Sequence, residues 1–295
     1  MNQHFGFAAI IGAPNAGKST LVNQLTGSKI SIVSHKVQTT RARIRAILVE
    51  GDVQAVLVDT PGIFAPKRKL DEAMVQNAWA GASEADAVLL LVDARRGLDE
   101  QAAAIIAQLK ATHARAALVL NKTDLVRAEQ LLPLSEKLNA EFPFTATFMV
   151  SALNGSGVDA LRKHILSAMP VGPWHYPGDQ AADVNLRFIA AEITREKIYE
   201  RLHEELPYAS TVETDAWEEH RDGSVKISQT IFVERDGQKA IVLGKGGQTV
   251  KTLGQLARAD MEKFLERRVH LFLFVKVREN WSQDPERLRN MGLLG

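Results

Sequence analysis

The chain has 295 residues, of which 45% are hydrophobic and 24% are charged, and its formal net charge is +1. This composition is typical of a globular protein and excludes a disordered or fibrous one, while the length suffices for two domains. The absence of cysteine excludes disulfides and cysteine metal sites. The apolar runs are shorter than the ~18–20 residues of a membrane-spanning helix, and we see no secretion leader, so we expect a cytoplasmic protein.

Between residues 5 and 169, short apolar runs alternate with helical patterns. The runs cover residues 7–11, 55–58, 86–92, 116–120 and 146–150. Short apolar runs that end in turn residues are typical of buried parallel strands. We therefore predict that residues 1–169 form an α/β domain, in which helices cover both faces of a mostly parallel sheet. Ligands of such domains bind at the carboxyl ends of the strands.

The pattern changes at residues 170–183, which contain three prolines and two glycines and are predicted to be a linker. Beyond them, the order helix, two strands, two helices and strand predicts a smaller α+β domain over residues 184–280. We interpret residues 281–295 as a C-terminal tail.

The first candidate site is a glycine-rich segment that follows a predicted strand and opens a predicted helix. It consists of Gly12, Ala13, Pro14, Asn15, Ala16, Gly17, Lys18 and Ser19, which fit G-x-x-x-x-G-K-[ST]. In this motif, backbone N–H groups surround the phosphates of a nucleotide, and the helix N-terminus adds a positive dipole end. We expect Lys18 to reach the β- and γ-phosphates and the Ser19 hydroxyl to bind Mg²⁺. An accidental glycine turn would lack the flanking strand and helix.

Three further motifs follow predicted strands and together predict guanine specificity. They are Asp59-Thr60-Pro61-Gly62, Asn121-Lys122-Thr123-Asp124 and Ser151-Ala152-Leu153. Asp59 can hold Mg²⁺ through water, and the Gly62 N–H can sense a γ-phosphate. The Asp124 carboxylate can accept both the N1–H and the N2 amine of guanine, which adenine does not offer. Residues 151–153 should place a backbone N–H on guanine O6. The set predicts GTP as the ligand.

Residues 28–43 lie between the first predicted helix and the next strand, where GTPases carry their first switch. Thr40 is our candidate for the hydroxyl that closes on Mg²⁺, with Thr39 as the alternative, so the predicted metal ligands are Ser19, Thr40 and Asp59. Three basic side chains of the segment could contact RNA or a partner, or could simply be solvated. They are Lys36, Arg41 and Arg43.

The expected catalytic groups are Lys18, Thr40 and Gly62. Ile63 follows the second motif, where Ras-like proteins carry a glutamine that orients the attacking water. Because isoleucine cannot hydrogen-bond water, we expect slow unaided hydrolysis. Asn15 lies where a monovalent cation could bridge the α- and γ-phosphates, although it could also serve only to bond within the loop.

The second predicted domain contains a glycine turn between two helices. The turn is Gly244-Lys245-Gly246-Gly247, and Lys251 and Arg258 follow on the next helix. A G-x-x-G turn of this kind lets KH domains clamp about four nucleotides, whereas an isolated glycine turn can be purely structural. Residues 235–278 carry ten basic and four acidic residues, a net charge of +6, and residues 192–222 carry four basic and ten acidic, a net charge of −6. This asymmetry favours a polyanion as partner, and we predict single-stranded RNA.

Longer stretches of the sequence resemble the Era family, bacterial Ras-like GTPases with a C-terminal KH domain. The resemblance covers nearly the whole chain and rests on KISIVS-x-K-x-QTTR at 29–41, DTPGI at 59–63, ELPYAS at 205–210, VERDGQKAIVLGKGG at 233–247, VHLFLFVKV at 269–277 and the tail near Trp281. One departure is Leu153, where Ras-type proteins have lysine, so only the backbone roles of Ser151 and Ala152 carry over.

The resemblance implies a type II KH fold and binding to the 3′ end of 16S ribosomal RNA. It also implies a role in assembly and maturation of the 30S ribosomal subunit that couples to cell growth and division, and peripheral contact with the inner membrane. Potassium accelerates relatives that carry the P-loop asparagine, a position that Asn15 matches. We expect a monomer that uses GTP/GDP and Mg²⁺, with K⁺ as an additional candidate.

Three other classes of protein share part of this pattern. The first is another ribosome- or tRNA-linked GTPase whose second domain docks a protein. The second is a metabolic P-loop kinase, against which residues 121–124 argue because they select guanine. The third is an iron-transport GTPase, which would need membrane-spanning helices.

Overall fold

The computed structural model describes residues 3–33, 36, 39–41, 43–180, 182–183, 185–284, 288 and 293. The chain divides into two compact units. The first comprises Met1–Ser31, Thr40–Asp183 and Met291–Gly295, and the second comprises Ile32–Thr39 and Val184–Asn290. Of the predicted first switch, residues 34, 35, 37, 38 and 42 lie outside the described residues, as do residues 285–287, 289–292, 294 and 295 of the predicted tail.

The described part of the first unit is an α/β domain built on a six-stranded sheet. Its strands are β1 (His4–Gly12), β2 (Ile44–Glu50), β3 (Val53–Asp59), β4 (Ala87–Asp93), β5 (Ala117–Asn121) and β6 (Thr147–Met149). Its helices are α1 (Lys18–Thr26), α2 (Lys69–Ser83), α3 (Glu100–Ala111), α4 (Ala128–Glu141) and α5 (Val158–Ser167). The strand order is β2-β3-β1-β4-β5-β6, and only β2 is antiparallel to its neighbour among these strands. The predicted mostly parallel sheet is confirmed.

The register of the sheet brings the candidate nucleotide motifs to one edge. Central side chains such as Ile10 and Leu90 are fully buried, because helices cover both faces of the sheet. Ile10 pairs with Asp59, and Asp93 pairs with Asn121. The carboxyl ends of β1, β3, β4 and β5 therefore lie side by side, which is where α/β domains bind their ligands.

The described residues of the predicted linker, 170–180, 182 and 183, pack along the first unit. The buried side chain of Gln54 accepts at Oε1 from the N–H groups of His175 (3.1 Å) and Tyr176 (3.0 Å), and its Nε2 donates to the Tyr176 carbonyl at 2.9 Å. The His175 ring stacks on Phe5 with centroids 3.9 Å apart. The predicted linker is thus grouped with the first compact unit, and the second unit resumes at residue 184, where the second domain was predicted to begin.

The second unit is a small α+β domain. It contains α6 (Leu186–Arg201), β7 (Ser210–Glu219), β8 (Val225–Val233), α7 (Asp236–Leu243), α8 (Gln248–Leu265) and β9 (Val269–Val277). The described strands form a three-stranded sheet in the order β7-β8-β9, with β7 antiparallel and β9 parallel to β8. The order of elements is the one the sequence predicted. Across the described parts of both units, no helix is both long and apolar enough to cross a membrane.

One face of this sheet is covered by helices. Ile231 of β8, Ile198 of α6 and Leu253 of α8 are fully buried in a shared apolar core. Trp281 is also buried, and its indole Nε1 donates to the carbonyl of Ala209 at 3.0 Å. The start of the predicted tail is therefore part of the packed second unit.

Candidate functional site

The loop from β1 to α1 needs glycine at two positions. Gly12 has a φ of +155° and Gly17 a φ of +99°. A Cβ atom on Gly12 would lie 2.4 Å from the carbonyl oxygen of Leu91, and one on Gly17 would lie 2.3 Å from Asn121 Nδ2. Only glycine accommodates both the backbone angles and these close approaches. The loop ends at the N-terminus of α1, whose unpaired N–H groups favour an anion.

Lys18 lies buried at this loop. Its Nζ donates to the carbonyls of Gly12 (3.1 Å) and Ala13 (3.0 Å). Burial lowers the pKa of Lys18 to about 8, although the nearby Asp59 acts in the opposite direction. The geometry thus holds an ammonium group against the concave side of the phosphate-binding motif, which is the position the sequence predicted for it.

The three predicted metal ligands meet at the end of β3. Ser19 Oγ lies 2.8 Å from Thr40 Oγ1, and Thr40 Oγ1 donates to Asp59 Oδ2 at 3.4 Å. Asp59 is fully buried, and its Oδ1 accepts no hydrogen bond from the described residues. Burial raises the pKa of Asp59, while the Ser19 hydrogen bond and the charge of Lys18 lower it. Two hydroxyls around a carboxylate with an unpaired oxygen fit Mg²⁺, which prefers oxygen ligands.

The segment after β3 closes onto the phosphate-binding loop. The Ile63 N–H donates to the carbonyl of Gly12 at 3.0 Å. A Cβ atom on Gly62 would lie 2.8 Å from Pro14, so only glycine can approach the loop this closely. The Ile63 side chain is buried in the apolar core with Ala9 and other residues of the sheet. It faces neither solvent nor a reacting water.

Asn121 joins two loops of the site. Its Nδ2 donates to the carbonyl of Ala16 at 2.8 Å, and its Oδ1 accepts from the N–H of Ala152 at 2.9 Å. The Ser151 N–H donates to the carbonyl of Ser156 at 2.9 Å. The two N–H groups that the sequence assigned to guanine O6 thus have acceptors inside the protein. A hydrogen bond to guanine O6 would therefore need the Ala152 N–H to donate to two acceptors at once. The alternative donor is the backbone N–H of Leu153, which is exposed.

Asp124 follows β5 in a short 3₁₀ turn, Thr123–Leu125, and is exposed. An exposed carboxylate at this position is accessible to the guanine base that it is predicted to bind. The remaining members of the predicted nucleotide site lie in the loops already described. They are Ala13, Ala16, Thr60, Pro61 and Thr123.

Residues 36 and 39 of the predicted first switch belong to the second unit and are hydrogen-bonded to α6 and the residue that follows it. The Lys36 ammonium donates to the carbonyls of Tyr199 and Leu202, and the Arg195 guanidinium donates to the carbonyl of Thr39. The Thr39 hydroxyl itself donates to the carbonyl of Lys36 at 2.8 Å. Thr40, rather than Thr39, therefore has its hydroxyl beside the other predicted metal ligands.

The basic side chains of this switch make intramolecular contacts. Lys36 binds carbonyl groups as just described. Arg43 pairs with Glu84 at 3.0 Å, and Arg41 is buried. These contacts argue against a freely solvated loop, and contact with RNA or a partner stays a prediction.

The glycine turn of the second unit follows α7 and precedes α8. Gly244, Gly246 and Gly247 all have positive φ, at 72°, 60° and 77°. A Cβ atom on Gly244 would lie 2.1 Å from Thr249 Oγ1, whereas nothing lies within 4 Å of the corresponding position on Gly246. Lys245 is exposed between them. The turn thus presents open backbone and one cation to solvent.

A groove of about 310 Å³ runs beside this turn, between α8 and β9. Lys251 and Arg258, both predicted to bind RNA, lie on its rim at helical spacing. Leu271 and Leu273 of β9 form its apolar side, and Gly254 of α8 also lines it. An apolar side with a basic rim suits unstacked bases and their phosphates.

Comparison with known proteins assigns both halves of the chain. Residues 7–122 match the family model described as 50S ribosome-binding GTPase, and residues 205–282 match the KH domain. The GTPase Era of Brucella suis is 61% identical over 288 residues, which cover 98% of this chain and 93% of the relative. The Era of Afipia carboxidovorans is 62% identical, with 98% and 94% covered.

The chain belongs to the Era family of GTPases. Solved structures of Era proteins are also similar to this chain over its whole length. A variant of Aquifex aeolicus Era bound to GDP and AlF₄⁻ matches with a TM-score of 0.94 at 36% identity, over 99% of this chain and all of the other. The same values hold for an Era in complex with MgGDPNP and nucleotides 1506–1542 of 16S ribosomal RNA. The predicted resemblance and the two-domain fold are thereby confirmed.

Asp93 is a residue of this Era site that sequence reasoning missed. Its Oδ2 accepts from Lys122 Nζ at 2.7 Å, and the same Nζ donates to the carbonyl of Asn15 at 2.5 Å. Burial opposes ionisation of Asp93, but hydrogen bonds from Arg95 and Lys122 outweigh it and lower the pKa to about 2. Its place at the end of β4, opposite Asn121, was the available signal.

Proposed function

We propose that this Era-family GTPase binds GTP with Mg²⁺ in its first unit and hydrolyses it to GDP and phosphate. We further propose that the second unit holds the single-stranded 3′ end of 16S ribosomal RNA. For the nucleotide, the supporting observation is the cluster of Ser19, Thr40 and Asp59 next to the buried Lys18. For RNA, it is the basic groove beside the glycine turn, together with the RNA complex of a structural relative.

Hydrolysis in such a site depends on placement and electrostatics rather than covalent chemistry. Lys18 and the N–H groups at the start of α1 would bind the β- and γ-phosphates and stabilise charge that grows on the transferred group. Ser19, Thr40 and Asp59 would hold Mg²⁺, which supplies positive charge to the phosphate oxygens. The N–H of Gly62, held against the loop, would report the γ-phosphate.

The attacking water has no orienting side chain at residue 63, since Ile63 is buried in the core. We therefore propose slow unaided turnover. Asn15 is exposed in the phosphate-binding loop with a φ of +62°, and we propose that a potassium ion beside it assists hydrolysis.

The groove between α8 and β9 is proposed to take about four unstacked nucleotides, as KH domains do. Its apolar side can contact base faces, while Lys245, Lys251 and Arg258 can neutralise phosphates. The rival function is a second unit that docks a protein.

The experiment is the affinity of the full chain for a single-stranded RNA from the 3′ end of 16S ribosomal RNA. A double variant, Lys251→Ala with Arg258→Ala, removes two groove cations, and we expect an affinity loss of at least about tenfold. Lys263→Ala is the matched control, because Lys263 is an exposed cation of α8 outside the groove lining. Equal losses in both would indicate only non-specific charge, and no RNA binding by the wild type would favour the protein-docking function.

We also propose, on the family resemblance, that the protein acts in 30S assembly in the cytoplasm, coupled to growth and division. A fraction is proposed to bind the inner membrane peripherally, and the chain is proposed to be a monomer. Fractionation of cells with and without high-salt washing of the membranes tests the location, and sedimentation tests the oligomeric state.

A further inference from the structure

Strand β9 presents two different faces. Leu271 and Leu273 point to the groove beneath α8 and are partly buried. Phe272 and Phe274 alternate with them and are 49% and 52% exposed. Alternate residues of a strand lie on opposite faces of a sheet, so these two phenyl rings stand on the face that the helices leave open.

The β8 side chains next to the two rings are small and polar. In the β8–β9 register, Phe272 lies opposite Ser228 and Phe274 opposite Thr230, both small side chains. The rings are two residues apart on one strand, a spacing of about 7 Å. Lys276 continues the same row and is exposed. Along the edge strand of the sheet, this row therefore consists of two aromatic side chains followed by a cationic one.

The acidic side chains near this face belong to β7, whereas β9 itself carries none. Asp215 of β7 accepts from the Thr230 hydroxyl at 2.6 Å, and Glu218 pairs with Lys226 at 3.1 Å. Lys276, by contrast, has no ion pair with any described residue. Two exposed aromatic rings beside an unpaired cation are the pattern with which sheets bind single-stranded nucleic acid, since bases stack on the rings and phosphates meet the cation.

We propose that RNA leaving the groove passes over the edge of β9 and stacks two further bases on Phe272 and Phe274, with a phosphate near Lys276. This inference rests on the proposed RNA binding of the groove. Groove and open face share strand β9, so a continuous RNA strand can reach both. The exposed Lys276 at the end of the row favours RNA over a second copy of this chain paired through β9, because that copy would bring its own Lys276 to the same edge strand.

The experiment compares a four-nucleotide and a ten-nucleotide RNA from the 3′ end of 16S ribosomal RNA, each titrated against the full chain. The short RNA fills the groove alone, whereas the longer one can also reach the open face. In the double variant Phe272→Ala with Phe274→Ala, we expect affinity for the longer RNA to fall about tenfold or more and affinity for the short RNA to stay unchanged.

Further variants distinguish loss of ring stacking from a general effect of substitution and from loss of charge. Phe272→Tyr with Phe274→Tyr keeps the rings and should keep wild-type affinity for both RNAs. Leu132→Ala removes an exposed apolar side chain of α4 and should change neither. Lys276→Ala should lower the salt dependence of the longer RNA by about one phosphate contact.

Two results would overturn the proposal while leaving the groove intact. One is unchanged binding of the longer RNA by the double alanine variant. The other is a wild-type dimer in sedimentation that this variant abolishes without any effect on RNA, because the open face would then bind a second copy. Failure of the wild type to bind the four-nucleotide RNA would instead contradict the proposed function itself.

Discussion

Asp124 is the residue on which the choice of base depends. It is exposed in the turn after β5, where its carboxylate can accept two donors from guanine. In Asp124→Asn the amide can donate to the carbonyl with which xanthine replaces the guanine amine. We therefore expect preference to shift from guanosine to xanthosine nucleotides, measured by competition binding. Unchanged selectivity for guanine would show that another group selects the base.

Asp93 makes a pH-dependent contribution to the stability of the first unit. Its pKa falls from 3.8 to about 2 on folding. The ionised group therefore stabilises the fold above the unfolded pKa, and this stabilisation is lost as pH drops from 3.8 towards 2. We expect Asp93→Asn to lower the free energy of unfolding by roughly 2 kcal/mol at pH 7 and by about half of that at pH 3. Native-state hydrogen exchange in β4 and β5 measures both.

A loss of the same size at the two pH values would mean that Asp93 acts through shape rather than charge. Asparagine keeps the side-chain volume but replaces one acceptor oxygen with an NH2 donor, so only the pH-dependent part of the loss reports the charge.

Asn15 is the candidate for cation-assisted hydrolysis. We expect GTP hydrolysis to be faster in potassium than in sodium, and Asn15→Ala to remove the difference while nucleotide affinity changes little. Phosphate release at equal ionic strength in the two salts is the measurement. Equal wild-type rates would eliminate the cation and leave catalysis to another residue or a partner.

At the level of strands and helices, the sequence was most informative where one face or both faces are buried. Four of the five apolar runs correspond to β1, β3, β4 and β5, whose residues are largely buried between helices, and the fifth covers the partly buried edge strand β6. They omit β2 (Ile44–Glu50), an edge strand whose Arg45 interrupts the apolar run. The antiparallel edge could be recognised only from its pairing with β3.

At Gly254 of α8, we expect opposite requirements for helix stability and for RNA binding in the groove. A glycine within a helix costs about 0.5–1 kcal/mol relative to alanine. A Cβ atom there would lie 3.4 Å from Leu273 Cδ1, an ordinary contact at the apolar side of the groove. We expect Gly254→Ala to stabilise α8 by that amount and to weaken binding of the four-nucleotide RNA by narrowing the groove. Hydrogen exchange in α8 tests the predicted stabilisation, and RNA titration tests the predicted loss of affinity. Stabilisation without weaker binding would show that the groove accommodates the added methyl group.

Across the whole chain, the sequence predicted which motifs lie at the same edge of the sheet. It did not predict the long-range hydrogen bonds that hold these segments in place. The strand-end motifs could be placed together because parallel strands end on one side of a sheet. The link from Asn121 to Ala16 joins residues 105 positions apart, and that from Gln54 to Tyr176 joins residues 122 apart. Neither has a local pattern. For the same reason, residues 170–183 were interpreted as a linker although they pack on the first unit.

The division of labour between the two units is the central claim, and Gly246→Asp tests it most directly. Gly246 has a φ of +60° and open space around its Cβ position, and aspartate tolerates that conformation better than most residues. The variant places a carboxylate where a phosphate must approach. Lys245→Ala is the control that keeps every glycine and removes only charge.

The measurement is the affinity of the full-length variant for the 16S 3′-end RNA, with GTP affinity and circular dichroism taken on the same sample. We predict that RNA affinity falls about tenfold or more, which corresponds to at least about 1.4 kcal/mol, while GTP affinity and the spectrum stay native. RNA binding that persists with its wild-type strength and salt dependence would contradict the account, because the RNA surface would then lie away from the glycine turn.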